Sequence, residues 1–144
     1  TGAVSLLHSL GGQINFISIG SDGSISVLNL AGWDVYRPGT GWSHYSASSN
    51  WCVSWSPDAR AIAYVYSGGP GYPYVVSGDT TTLDGSGTSI AAAAATSGVT
   101  WTPSGDYIYY SYNGIWRIRP DGSGGECVVA DSSFSAPQIL GKTR

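Results

Sequence analysis

Charge is what this chain has least of. Asp, Glu, Lys and Arg together make up 10% of its 144 residues, against about a quarter in an ordinary globular protein. The six Lys and Arg are scattered and the net charge is −3. Nucleic acid binding needs a clustered basic face to neutralise phosphates. The nearest approach is Arg117 and Arg119, which share one face of a strand, and two charges make no such face. DNA and RNA are therefore not expected as partners. Scarcity of Leu, Glu and Lys also argues against long helices, which need those residues along their surfaces.

Other absences narrow the field further. No run reaches the eighteen or so apolar residues of a membrane span. Methionine is missing, which fits either an initiator lost before Thr1 or a segment of a longer chain. The opening TGAVSLLHSL has no basic leader and is too short for a signal peptide. Two cysteines, Cys52 and Cys127, are too few for a four-ligand zinc site. They leave open either a disulfide or free thiols, since spacing alone does not set connectivity. The two histidines, His8 and His44, come with no HExxH and no GxSxG motif. No cofactor is expected.

What is present in quantity is glycine (21), tyrosine (10) and tryptophan (6), with abundant Ser and Thr. This is the composition of short strands joined by turns. The chain is organised around WSPDARAIAYVY at Trp55–Tyr66 and its echo WTPSGDYIYYSY at Trp101–Tyr112. Trp55 and Trp101 lie 46 residues apart, and Pro57/Pro103, Ile62/Ile108 and Tyr64/Tyr110 keep the same register. A period of 40 to 50 residues with several strands in each is the signature of a β-propeller blade.

Taken in order, Ala3–Leu10 predicts a first strand. Gln13–Ile19 and Ile25–Leu30 alternate on either side of Ser21-Asp22-Gly23-Ser24, a strong hairpin signal. Trp33–Tyr36 is a further short strand, and Thr40–Asn50 reads as a polar connection. In the second unit, strands are expected at Trp51–Trp55, Ala61–Tyr66 and Tyr72–Val76, with Thr80–Leu83 as an outer fourth. Pro73 pushes its strand towards a sheet edge. Ile90–Ala95 is too short for an independent helix and reads as a connector or a single turn. The third unit is clearest: Val99–Thr102, Tyr107–Tyr112, the Asn113-Gly114 turn, Ile115–Arg119 and Glu126–Ala130. Ser135–Leu140 starts another blade or closes the ring.

Trp55-Ser56-Pro57-Asp58 with Ala61-Ile62-Ala63-Tyr64 resembles the core of the TolB/WD40-like propeller repeats. Trp101-Thr102-Pro103-Ser104-Gly105 with Ile108-Tyr109-Tyr110 is similar to a second copy, and Ile115–Ile118 with Pro120–Gly124 to the third strand and turn of a TolB blade. Ala59 departs from the pattern by standing where the turn usually has Gly. Tyr74–Leu83 is similar to repeat endings found in phage tail and virion proteins. The resemblance implies an all-β fold of four-stranded antiparallel blades. It implies no single activity, because such repeats bind peptides, bind carbohydrate or serve as scaffold.

The length divided by the 46-residue period gives about three units, near 1–50, 51–97 and 98–144 of a single β domain. Closed propellers carry four to eight blades, and open sheet edges invite association. Completion by association is therefore expected, with further copies or other subunits as partners.

Candidate sites are aromatic rather than catalytic. Trp33, Trp42, Tyr45 and Trp51 fall within nineteen residues, mostly in expected loops, and Tyr72 and Tyr74 flank Pro73. Such rings beside small polar residues suit either a protein contact or a glycan. His44, between Trp42 and Tyr45, is a candidate ligand contact, although it shows no carboxylate partner in sequence. Trp55, Trp101, Trp116, Ile62 and Ile108 are expected in the blade core. Asp22, Asp58, Asp106 and Asp121 are read as turn formers; a glycosidase pair among them would need a defined separation across a pocket. Asp121 to Glu126 lacks the ligand spacing of a calcium loop, and no metal is expected. The leading expectation is a non-enzymatic structural or adhesive module of a larger assembly, extracellular or in a phage virion or tail. The alternative is a small lectin forming a homo-oligomeric propeller.

Overall fold

The architecture comes from a computed structural model, in which residues 14–29, 32–45, 50–66, 73–77, 87–91, 98–131 and 133 are described. These residues form twelve strands in three four-stranded antiparallel sheets. The first sheet holds β1 (Ile14–Ile19), β2 (Ile25–Asn29), β3 (Gly32–Arg37) and β4 (Gly41–Tyr45), in that order. The second holds β5 (Asn50–Trp55), β6 (Ala61–Tyr66), β7 (Pro73–Ser77) and β8 (Thr88–Ser89). The third holds β9 (Val99–Trp101), β10 (Ile108–Ser111), β11 (Ile115–Ile118) and β12 (Glu126–Val129). The chain is thus all-β and propeller-like, built of successive up-and-down blades.

Each blade opens with the same device. An inner strand ends in a turn whose first residue closes a backbone bond across it: Gly20 N–H to Ser24 O, Ser56 N–H to Ala61 O and Thr102 N–H to Tyr107 O. Side chains hold these turns. Asp58 accepts from the Ser56 hydroxyl at 2.6 Å and the Arg60 amide at 3.1 Å, while Ser56 Oγ accepts the Ala61 amide at 2.9 Å. Asp22 does the same for Ser24. In the third blade Thr102 Oγ1 takes the role of Ser56, bonding Tyr107. Ala59, at φ +56°, adopts the left-handed conformation that the usual glycine would take freely.

The blades stack face to face. On β6 the residues alternate between two seams and the strand is buried on both faces. Ile62 and Tyr64 join Leu28, Trp33, Val35 and Trp55 between the first and second sheets. Ala63 and Val65 join Cys52, Trp101, Ile108 and Tyr110 between the second and third. The expected core residues Trp55, Ile62, Trp101 and Ile108 are all buried here, and Trp116 packs against the second cluster with its indole N–H on Tyr112 O at 2.8 Å. In both seams a face of small side chains receives a face led by a tryptophan on the inner strand.

Three expectations need correction. Residues Gly41–Tyr45, expected within a connection, are the outer strand of the first blade. That blade is therefore complete from Ile14 to Tyr45. Pro73 does not mark an edge: β7 lies between β6 and the short β8, and Pro73 occupies the first strand position, where its missing donor costs nothing. Trp33, expected among surface aromatics, is fully buried in the first seam. The strands expected at Ala3–Leu10, Thr80–Leu83 and Ser135–Leu140 lie outside the described residues, as does most of Ile90–Ala95. Cys52 and Cys127 are free thiols, the first buried and the second exposed.

Candidate interaction surface

The seams are tied by a repeated contact along the inner strands. The Trp55 amide donates to Ser18 Oγ of β1 at 3.0 Å. One blade later the Trp101 amide points to Ser54 Oγ of β5 at 3.4 Å, and its indole N–H donates to the Ser54 carbonyl at 3.1 Å. A hydroxyl residue preceding the last inner-strand residue thus serves the next blade.

The stack has two ends. Among the described residues, the first and third sheets each pack one face on the middle sheet, and neither outer face carries a further sheet. Cross-strand register identifies what each outer face presents. On the first sheet, Ile17 pairs with Val27 and Ile19 with Ile25, opposite the face on which Ser18 and Leu28 meet the second blade. Ile17 is 56% and Ile19 69% exposed. On the outer strands of the same face lie Asp34 and His44, and Tyr36 and Trp42, again as register pairs.

These four residues form the most developed polar-aromatic group in the molecule. His44 Nδ1 is 2.8 Å from Asp34 Oδ1, and Asn29 Nδ2 donates to Asp34 Oδ2 at 2.9 Å. Asn29 Oδ1 in turn accepts the Gly32 amide at 3.0 Å. Asp34 is buried while the His44 side chain is 54% exposed. The Tyr36 and Trp42 rings are 5.5 Å apart and tilted. The arrangement fixes an imidazole and an indole edge on a solvent-facing strand. It supplies a carboxylate-held histidine without a nucleophile: among the described residues no group hydrogen-bonds its other ring nitrogen.

The other end face is different. Tyr107, Tyr109, Arg117 and Thr100 occupy it. The Arg117 guanidinium lies 4.7 Å from the Tyr107 ring centroid and Arg119 5.6 Å, and Arg117 ion-pairs with Glu126. Tyr109 and Glu126 hold the Arg117 pKa above its ordinary value.

An open groove of about 310 Å³ lies between the turns of the second and third blades, lined by Ser56, Asp58, Arg60, Trp101 and Asp106. It brings together two of the turn aspartates. The hydrogen bond from the Ser56 hydroxyl keeps Asp58 below the ordinary carboxylate value, the reverse of the raised carboxyl that a glycosidase acid requires.

The sequence-expected site residues divide accordingly. Trp42 and His44 come together. Tyr45 pairs with Trp33 in the β3–β4 register, its side chain lying outside the description, as Tyr72 does entirely. Tyr74 sits on the second sheet, its ring 5.5 Å from Tyr64 and 6.3 Å from Tyr66, and does not join Trp42. Asp34 was missed. The signal for it was the spacing about the Pro38-Gly39 turn, which sets residue 34 opposite residue 44 once Gly41–Tyr45 is taken as a strand. Among the described residues no three His, Cys, Asp or Glu side chains gather to hold a metal, and no helix is long and apolar enough to cross a membrane.

No protein-family model matches the sequence, and a search of curated proteins finds no match. Solved structures do match. A chain in the crystal structure of a nidogen/laminin complex superposes at TM-score 0.59 and 13% identity, over 79% of this chain and 47% of that one. The putative TolB of Agrobacterium tumefaciens reaches TM-score 0.49 at 12% identity, covering 85% and 64%. Both are β-propellers, and the first likeness supports a propeller-like fold here. This chain spans about half the length of that nidogen/laminin chain.

Proposed function

We propose that this is a non-enzymatic, propeller-type interaction module that acts as a structural or adhesive part of a larger assembly, extracellular or in a virion. One observation carries the reading. The blade stack ends in two bare faces, one apolar at Ile17 and Ile19, the other built of Tyr107, Tyr109 and Arg117. Tyr and Arg are the residues enriched at protein contacts. Neither face, nor the groove beside Asp58, presents a nucleophile with its base.

The test is covalent footprinting of the chain alone and within its parent assembly. Loss of labelling at Ile17, Ile19, Tyr107 and Tyr109 on incorporation is expected. Equal labelling in both states, or turnover of chromogenic glycosides by the purified chain, overturns the reading.

A second reading, a glycan-binding site, draws on the Tyr36–Trp42 ring pair beside the Asp34-held His44. A ring face for sugar C–H groups and a fixed polar atom beside it is the necessary chemistry. Binding on a glycan array that disappears in Trp42→Ala supports it; an empty array, or binding unchanged by that substitution, removes it.

A further inference from the structure

The two end faces are complementary in size, in a sense that reverses the internal seams. Inside the stack the register equates Ile17, Val53 and Val99; Ile19, Trp55 and Trp101; Ile25, Ile62 and Ile108; and Val27, Tyr64 and Tyr110. This is the leading face of each blade, and in the second and third blades it is aromatic-rich. The opposite, trailing face runs through Ser26, Ala63 and Tyr109, and one strand position before the tryptophan sites through Ser18, Ser54 and Thr100.

At both internal seams a small trailing face meets a bulky leading one: Ser26 and Leu28 against Trp55 and Tyr64, then Ala63 and Val65 against Trp101 and Tyr110. At the ends of the stack the sizes are exchanged. The free leading face has only Ile17, Ile19, Ile25 and Val27, with no ring. The free trailing face has Tyr109 where the second blade has Ala63, and Tyr107 where it has Ala61. Close packing demands that summed volume across a seam be conserved. The free leading face is short by the bulk that the free trailing face has in excess.

The inner-strand hydrogen bond gives a second, independent match. Ser18 serves Trp55 and Ser54 serves Trp101. The third hydroxyl of the series, Thr100, lies on the free trailing face. The amide equivalent to Trp55 and Trp101, that of Ile19, lies on the free leading face. One chain therefore holds both halves of one more seam, at opposite ends.

We propose that the occupant of each end face is a second copy of this chain: two copies join leading face to trailing face twice, closing a six-blade ring. The Ile19 amide of each copy donates to Thr100 Oγ1 of the other, and Tyr107 and Tyr109 pack on Ile17, Ile19 and Ile25. Two identical seams related by a two-fold axis form a closed arrangement that does not propagate into a fibre. Trp42 and His44 sit on the outer strands of that leading face, towards the rim of the ring. The proposal rests on reading the end faces as contact surfaces and adds the identity of the partner.

The test is the native mass of the purified chain, by analytical ultracentrifugation and native mass spectrometry. A species of twice the 14.9 kDa chain mass is expected. Ile19→Asp and Tyr109→Lys are each expected to give monomers with unchanged strand content by circular dichroism. Mixing the two variants is expected to restore a dimer, because one of its two seams is then wild type on both sides. Should either variant fail to fold, Thr100→Val supplies the readout: dimer affinity falls about tenfold or more, since the ring contains the lost bond twice. A monomeric wild type, a trimer or larger species, or a dimer indifferent to Thr100→Val and Ile19→Asp overturns the proposal. Such a result leaves the interaction-module reading standing, which footprinting decides separately.

Discussion

Trp101 grips Ser54 twice: its amide points to the serine hydroxyl at 3.4 Å, and its indole N–H donates to the serine carbonyl at 3.1 Å. The pair joins two blades whose Cα ladders never meet, since β5 and β9 belong to different sheets. Together with Trp55 on Ser18 it makes the inner strands the hinge-line on which the stack is assembled.

Trp101→Ala removes both the ring from the second seam and the indole bond, and is expected to destabilise by about 3–5 kcal/mol. Ser54→Ala leaves the carbonyl in place and should cost about 1 kcal/mol. Urea unfolding of both and of the double variant checks this, with the double expected to fall short of the sum because the residues share a contact. A Trp101→Ala loss below that of Ser54→Ala would place the ring outside the core.

The Asn113-Gly114 turn offers a backbone test. A Cβ on Gly114 would lie 2.2 Å from the Val129 carbonyl oxygen, and its φ is +134°. Gly114→Ala is expected to destabilise by about 2 kcal/mol or more, through strain and displacement of β12. Gly39→Ala, where φ is positive but nothing lies within 4 Å, should cost about 1 kcal/mol. Thermal melts that rank the two equally would contradict the placement of β12 beside that turn.

The cysteines are expected to react in sequence. Burial pushes the Cys52 thiol up to about 12, while Cys127 stands exposed on β12. A chromogenic disulfide reagent at mildly alkaline pH should titrate one thiol in the native protein and the second only in denaturant. Two fast thiols, or none, would contradict the seam around Cys52.

Acid should weaken the fold through its turns. The Ser24 amide, the Ser56 hydroxyl and the Ser123 amide hold Asp22, Asp58 and Asp121 below the ordinary value of 3.8. A carboxyl whose pKa is lower folded than unfolded contributes stability above its unfolded value and loses it as pH falls through the folded one. Urea midpoints are therefore expected to be flat from about pH 7 to pH 5 and to drop towards pH 3. The drop should be smaller in Asp58→Asn, and an undiminished drop there would assign it elsewhere.

Much of the architecture was legible because blade chemistry is local. Trp55-Ser56-Pro57-Asp58 and its counterpart at Trp101 encode an inner strand, a side-chain-closed turn and a buried second strand within twelve residues, and β6 begins and ends where its pattern says. The first blade was harder to place. Its turn uses Gly20 and Asp22 without tryptophan or proline, and β4 is written in Gly, Ser and His, residues that composition assigns to loops. Missing β4 hid the pairing of Asp34 with His44 and made Trp33 look exposed. Whether an aromatic faces a seam or solvent depends on the neighbouring sheet, which no local pattern encodes.

The stacking of blades along their inner strands is tested most directly by native-state hydrogen exchange at the Trp55 and Trp101 amides. Both lie on inner edge strands and find their acceptors across a seam, at Ser18 and Ser54. Exchange as slow as that of the β6 and β10 amides is expected, with acceleration at Trp101 alone in Ser54→Ala. Exchange at loop-like rates for both in the intact protein would contradict the packed seams on which the fold and both proposals stand.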